Sequence, residues 1–195
     1  MTTPEARPRN PWQKTLIPLL GILILIVIAL SVIKSRLPQK SAEIGSAANV
    51  EIKTGSTLPD FKLTPFEGKP FLVSQSKAKV LLVNFWATWC EACMVEMPSI
   101  VKLRERYQSR GFDVAAINVD ENPAAVLPRT ITQLKINFPV FTDPEQKLAE
   151  LFNVQAIPLT VVLNQERKIL LVENGERNWD DKEVHGWLDQ WLTSR

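Results

Sequence analysis

The chain has 195 residues, 23 Lys and Arg against 21 Asp and Glu, and two cysteines. A formal net charge of +2 offers no basic surface of the kind nucleic acid demands. Two cysteines exclude a structural network of disulfides, so Cys90 and Cys93 form one reversible dithiol and leave little else for sulfur to do.

Residues 1–15 are a short basic N-terminal segment carrying Arg7, Arg9 and Lys14. From Leu16 to Ile33 the chain is almost wholly aliphatic, broken only by Pro18, Gly21 and Ser31. As a helix, residues 16–33 would span about 27 Å, close to the roughly 30 Å of a bilayer core, and they read as one transmembrane anchor. A cleaved signal peptide is the competing reading. Its apolar region would be shorter, about 7–15 residues, and the best small-residue pair, Ala29 and Ser31, lies inside the apolar run.

Lys34, Arg36 and Lys40 follow the segment, so the positive-inside rule is nearly tied. The short basic N-terminus resembles a signal-anchor, and a lone dithiol domain is more useful outside the reducing cytosol. The expected placement is single-pass in a bacterial inner or cytoplasmic membrane, with the domain periplasmic or extracytoplasmic. The first forty residues carry most of the positive excess, and the domain beyond them is mildly acidic. Residues 34–53 read as a linker, Pro38 followed by Ser, Ala, Gln and Asn without sustained periodicity. Its r.m.s. reach is roughly 25 Å, which keeps the dithiol near the membrane.

Residues 54–195 suit one α/β domain. Val80–Trp86 is continuously apolar except for Asn84 and predicts a buried central strand. A helical pattern follows through Met97, Ile100, Val101 and Leu103 and ends near Gly111. Phe112–Asp120 alternates into a strand. Asn122 with Pro123 predicts a helix cap and first turn, with Pro128 shortening or kinking that helix. Glu145–Phe152 predicts a second short helix, and Thr160–Leu163 with Lys168–Glu173 a hairpin around Asn164–Arg167. At the end, Val184, Trp187, Leu188, Trp191 and Leu192 fall on one helix face. Asp180 with Glu183 predicts the capping box before it. The two tryptophans are expected in the core, and His185 on the surface.

The chemistry sits where the central strand meets the helix. A pair at the Cys90–Cys93 spacing can close a disulfide only at a sharp turn or a helix start. Unpaired N–H groups and the helix dipole favour a thiolate at Cys90, the expected nucleophile, and Cys93, one turn in, is the resolving thiol. Half a zinc site is the bland alternative. Zinc takes about four ligands, and the chain adds only His185 near its far end. Glu91 sets a negative charge beside Cys90, which disfavours the thiolate, lowers the reduction potential and leans toward a reductant. Trp89, just before the nucleophile, is expected to shield the dithiol and contact substrate.

The run Phe85-Trp86-Ala87-Thr88-Trp89-Cys90-Glu91-Ala92-Cys93 resembles the active site of the thioredoxin superfamily, and Pro98 matches the proline that kinks its first helix. Val154–Leu163 resembles the second signature of that superfamily, which implies that Pro158 is cis and presents the Ile157 backbone to a substrate strand beside Cys90. Three details resemble the membrane-anchored ResA/TlpA-like thiol–disulfide reductases, relatives of the AhpC/TSA peroxiredoxins. These are Gly55–Phe61, room for an inserted helix and strand around Asn122–Thr142, and Glu96, three residues after Cys93. The resemblance covers roughly Thr54 to Leu192. It implies a thioredoxin fold, a central mixed β-sheet flanked by helices, with an inserted helix–strand unit and one transmembrane helix ahead.

Two positions depart from plain thioredoxin. Asn84 stands where thioredoxin has a buried aspartate, and the resemblance implies that Glu96 takes over as proton acceptor for Cys93; the bland reading is a solvated surface residue. Ala156 stands where glycine is frequent. The implied activity is reduction of protein disulfides, with apocytochrome c one candidate substrate and a membrane thiol protein as electron donor. No cofactor beyond the dithiol and no metal is expected. The alternatives are a peroxiredoxin-like peroxidase, which normally has threonine three residues before its cysteine where Thr88 is two before Cys90, a copper(I) carrier for oxidase assembly, and a net oxidant.

Overall fold

A computed structural model describes residues 52–193. The basic segment, the anchor at 16–33 and all but the last two residues of the linker lie outside them. Among the described residues no helix is long and apolar enough to cross a membrane.

Among the described residues, seven strands and four helices make up the fold. β1 (Lys62–Leu63) and β2 (Phe71–Leu72) form a small antiparallel pair. β3 (Val80–Trp86), β4 (Phe112–Asn118), β5 (Val140–Thr142), β6 (Leu159–Asn164) and β7 (Ile169–Asn174) form one mixed sheet in the order β5-β4-β3-β6-β7. β4 is parallel to β3 and β5, while β6 is antiparallel to β3 and β7. This is a thioredoxin-like α/β fold with a central mixed sheet. The helices are α1 (Glu91–Tyr107), α2 (Pro123–Leu134), α3 (Lys147–Leu151) and α4 (Lys182–Thr193).

β3 is central because all seven of its residues are buried, as a strand covered on both faces requires. Alternate side chains point to opposite faces. Val80, Leu82 and Trp86 join a core with Met97, Ile100 and Leu103 of α1 and Leu188 of α4. Leu81, Val83 and Phe85 join Leu58, Phe61 and Phe152 on the other side, where Phe152 meets both phenylalanines at 5.1–5.2 Å between ring centres. The same alternation sends Asn84 to the α1 side with Leu82 and Trp86. That parity places the one polar residue of the strand against the dithiol helix.

The strands and helices predicted within residues 54–195 are present, with several boundaries moved. α1 starts directly after Cys90 and continues past Pro98, which is exposed. A short 3-10 turn follows, and Gly111 closes it at φ +103°. Here a side chain would be strained and would meet the Lys79 stem at 3.0 Å. β4 stops at Asn118, two residues short, because Asp120 turns its carboxylate back to Thr88. α2 is not shortened at Pro128; the ring is exposed, and the helix runs on to Leu134 with Leu127 and Thr130 buried. Asn122 precedes it without a side-chain capping bond. α3 is shorter than predicted because Gln146 takes a left-handed φ of 55°, and the buried Asp143 carboxylate takes the Ala149 N–H at 2.8 Å.

Around α4 the sequence reading needs three corrections. The cap is Asp181, whose Oδ1 accepts the Val184 N–H at 2.8 Å. Asp180 instead accepts from His185 Nε2 at 3.0 Å. His185 is half-buried, its Nδ1 lying 3.1 Å from the Tyr107 hydroxyl, so it is a bridge between helices and not a surface residue. Val184, Leu188 and Leu192 are buried, but Trp187 and Trp191 are only partly so, stacked at the core margin with centroids 6.0 Å apart.

Candidate active site

Cys90 is the N-cap of α1 and is joined to Cys93 by a disulfide. The cap arises from the sequence itself. A helix start two residues before Cys93 leaves unpaired N–H groups, and the Cys93 N–H is directed at Cys90 Sγ, 3.2 Å away. Cys90 keeps a narrow opening to solvent at 8 % exposure, whereas Cys93 has none. Such an N–H favours negative charge on Cys90 when the pair is reduced.

The loop ahead of the pair is held by a buried carboxylate. Asp120 accepts the Thr88 N–H and hydroxyl, each at 2.9 Å, and the Asn118 amide at 2.6 Å. Trp89, next in the chain, is 69 % exposed. Glu91 is exposed in the first turn of α1. The Ile157–Pro158 bond is cis, and the Ile157 carbonyl oxygen lies 3.8 Å from Cys90 Sγ. Ala156 is exposed and has no left-handed backbone angle, so nothing at that position requires glycine.

Glu96 lies one turn beyond Cys93 and is 2 % exposed; it is not a solvated surface residue. Its Oε1 accepts the Asn84 amide at 2.7 Å, and Asn84 also reaches Thr160 on β6, its partner across the ladder, at 2.9 Å. Its Oε2 accepts the Trp179 indole N–H at 3.2 Å and the Arg177 backbone N–H at 3.3 Å. Burial pushes the Glu96 carboxyl up to about 7, against the pull of those three donors. A carboxyl poised there can take or give a proton near neutral pH.

The structure thus brings Cys90, Cys93, Glu96, Ile157 and Pro158 around one strand–helix junction, with Trp89 and Glu91 on its solvent side. Sequence reasoning missed Asn118, Asp120, Thr160, Arg177 and Trp179. Asn84, alone and polar in an apolar strand, signalled a buried polar partner. Arg177 and Trp179 gave no signal, because their loop has no periodicity. Among the described residues no group of three or more His, Cys, Asp or Glu side chains is disposed to hold a metal ion.

Residues 53–188 match the Redoxin family. The chain is 33 % identical over 143 residues to the thiol-disulfide oxidoreductase ResA of Bacillus subtilis, covering 73 % of this chain and 78 % of that one. ResA of Geobacillus kaustophilus is 30 % identical over 134 residues, 69 % of this chain and 76 % of that one. Among solved structures, a Chlorobium tepidum protein assigned as thiol:disulfide interchange protein DsbE superposes with a TM-score of 0.65 at 26 % identity. That alignment covers 72 % of this chain and 98 % of the other.

Proposed function

This chain belongs to the Redoxin family as a ResA/TlpA-like thiol–disulfide oxidoreductase of the thioredoxin superfamily, and from that premise we propose that it reduces protein disulfides outside the cytosol while tethered to the membrane by residues 16–33. The observation that carries the reading is the contrast within the dithiol: Cys90 opens to solvent, while Cys93 is sealed in one turn from a buried carboxyl.

In the reduced protein the Cys90 thiolate attacks one sulfur of a substrate disulfide. A Cys90–substrate disulfide forms, and the other substrate sulfur leaves as thiolate. The Cys93 thiol passes its proton to the Glu96 carboxylate and attacks Cys90 Sγ. The Cys90–Cys93 disulfide closes and the second substrate thiol is released, two electrons having passed to substrate. Trp89, exposed next to Cys90 in the chain, and the Ile157 backbone, 3.8 Å from Cys90 Sγ, receive the substrate segment. A membrane thiol protein restores the dithiol, and apocytochrome c is a substrate of the right chemistry.

Glu91, exposed beside Cys90, supports the reducing direction, because an anion there disfavours the thiolate form. A peroxidase reading is weakened by Thr88, whose hydroxyl is directed to Asp120 and not to a cysteine. The test is the Cys90–Cys93 reduction potential, measured by equilibration in thiol buffers of known poise. A value at or below roughly −270 mV, that of thioredoxin, is expected; one near roughly −120 mV, that of a strong disulfide donor, would make the protein an oxidant.

A further inference from the structure

The loop between β7 and α4 closes over Glu96. Arg177 and Trp179 both donate to Glu96 Oε2. The Trp179 backbone N–H also donates to Ser99 Oγ at 2.9 Å, and that hydroxyl donates to the Glu96 carbonyl at 2.6 Å. The loop is therefore stitched to α1 on both sides of the carboxylate. Trp179 is 1 % exposed, so its indole N–H has no solvent to turn to.

The loop is in turn clamped at both ends by one side chain. The Arg177 guanidinium reaches Glu173 on β7 at 2.9 Å, and Glu183 and Asp181 at the start of α4 at 2.6 and 3.4 Å. It lies over the Trp187 ring at 4.7 Å. A planar fork can bridge three carboxylates; a lysine ammonium cannot do so in the same geometry.

We propose that Trp179 and Arg177 are positioning residues of the dithiol chemistry: the loop aims its donors at Glu96 Oε2 and so keeps that carboxyl able to accept a proton, and the Arg177 clamp holds the loop. This inference rests on the reading of Glu96 as acceptor of the Cys93 proton. Glu96 meets Asn84 from β3 and Arg177 and Trp179 from the loop, feels the charge of Glu176 in the same loop, and has Cys93 one turn before it on its own helix. Glu176 opposes ionisation by its like charge. Burial alone drives Glu96 toward the neutral acid, so each donor removed moves it further from the state that can accept a proton.

The experiment follows the second of two thiol-exchange steps in the reduced full-length protein. With a slight excess of dithiobis-nitrobenzoate, Cys90 attack releases one coloured thiolate and leaves a mixed disulfide. Cys93 attack releases a second thiolate and closes the Cys90–Cys93 disulfide. The rate of that second phase is measured against pH for wild type, W179F, R177K and E96Q, with circular dichroism confirming the fold. The wild-type rate is expected to inflect near pH 7. W179F keeps a ring but removes the donor, and its inflection moves up by about one unit, a resolving step about fivefold slower at pH 7. R177K keeps the charge but loses the fork, and it shifts the same way by about twofold at pH 7. A W179F inflection at the wild-type pH, with no inflection near pH 7 in E96Q, overturns the loop's role and leaves that of Glu96 intact. An inflection that survives in E96Q overturns the Glu96 reading itself. Should W179F fail to fold, R177K decides alone, since Arg177 is only part-buried and the substitution keeps its charge: an unmoved inflection overturns the proposal.

Discussion

Asp120 accepts three hydrogen bonds, two from Thr88 and one from Asn118, and so fixes the backbone that leads into Trp89 and Cys90. An amide of the same shape would present a donor to groups that are themselves donors. D120N is expected to lower stability by about 2 kcal/mol, the cost of leaving a buried donor unmatched, and to slow Cys90 attack on an aryl disulfide. Thermal denaturation and the first exchange phase check the two effects; an unchanged melting temperature would show that the Thr88 contacts carry no load. The cysteines were legible as residues, because their spacing is itself chemistry. Asp120 was not, because it acts from the loop after β4, thirty residues beyond Cys90.

The start of α4 shows where element-level reading slips. The sequence contains three acidic residues near the helix start, Asp180, Asp181 and Glu183, and a capping box could be drawn from the first and last of them. The cap is Asp181, because the buried positions Val184, Leu188 and Leu192 fix the helix phase and leave residue 181 at the turn. The Val184 N–H holds the Asp181 carboxyl below its ordinary range. Its contribution is therefore present above the unfolded-state pKa and is lost as pH falls through the lower folded-state value. D181A is expected to cost about 1 kcal/mol at neutral pH, read by urea denaturation, with the difference from wild type shrinking in strong acid. A constant difference down to that range would remove the charge from the explanation. The strands were easier: β3 and β4 read correctly because an unbroken or alternating apolar run has one cheap solution, whereas their ends depend on side chains from elsewhere.

At the scale of the molecule, the buried Glu96 makes stability depend on pH. Its carboxyl is raised from 4.5 to about 7, so between those values the folded protein holds a proton that the unfolded chain has released. Stability should then fall as pH rises through that window, by about 3 kcal/mol in all. In E96Q this slope should vanish, while the contribution of Asp143, also raised by burial, is common to both proteins and cancels. Denaturation of the oxidised proteins from pH 5 to 8 tests it; parallel curves would mean that burial does not raise the Glu96 carboxyl in the folded protein. The sequence by itself determined the α/β class, the order of its main strands and helices, and the dithiol at a helix start, because hydrophobic periodicity and local spacing act over a few residues. Only the tertiary structure decided that Glu96 is buried, that Asn84 and Trp179 meet at it, and that Arg177 ties two elements across a loop. Burial and long-range hydrogen bonds depend on which face of which strand lies against which helix, and that is settled by packing the whole sheet rather than by any one segment.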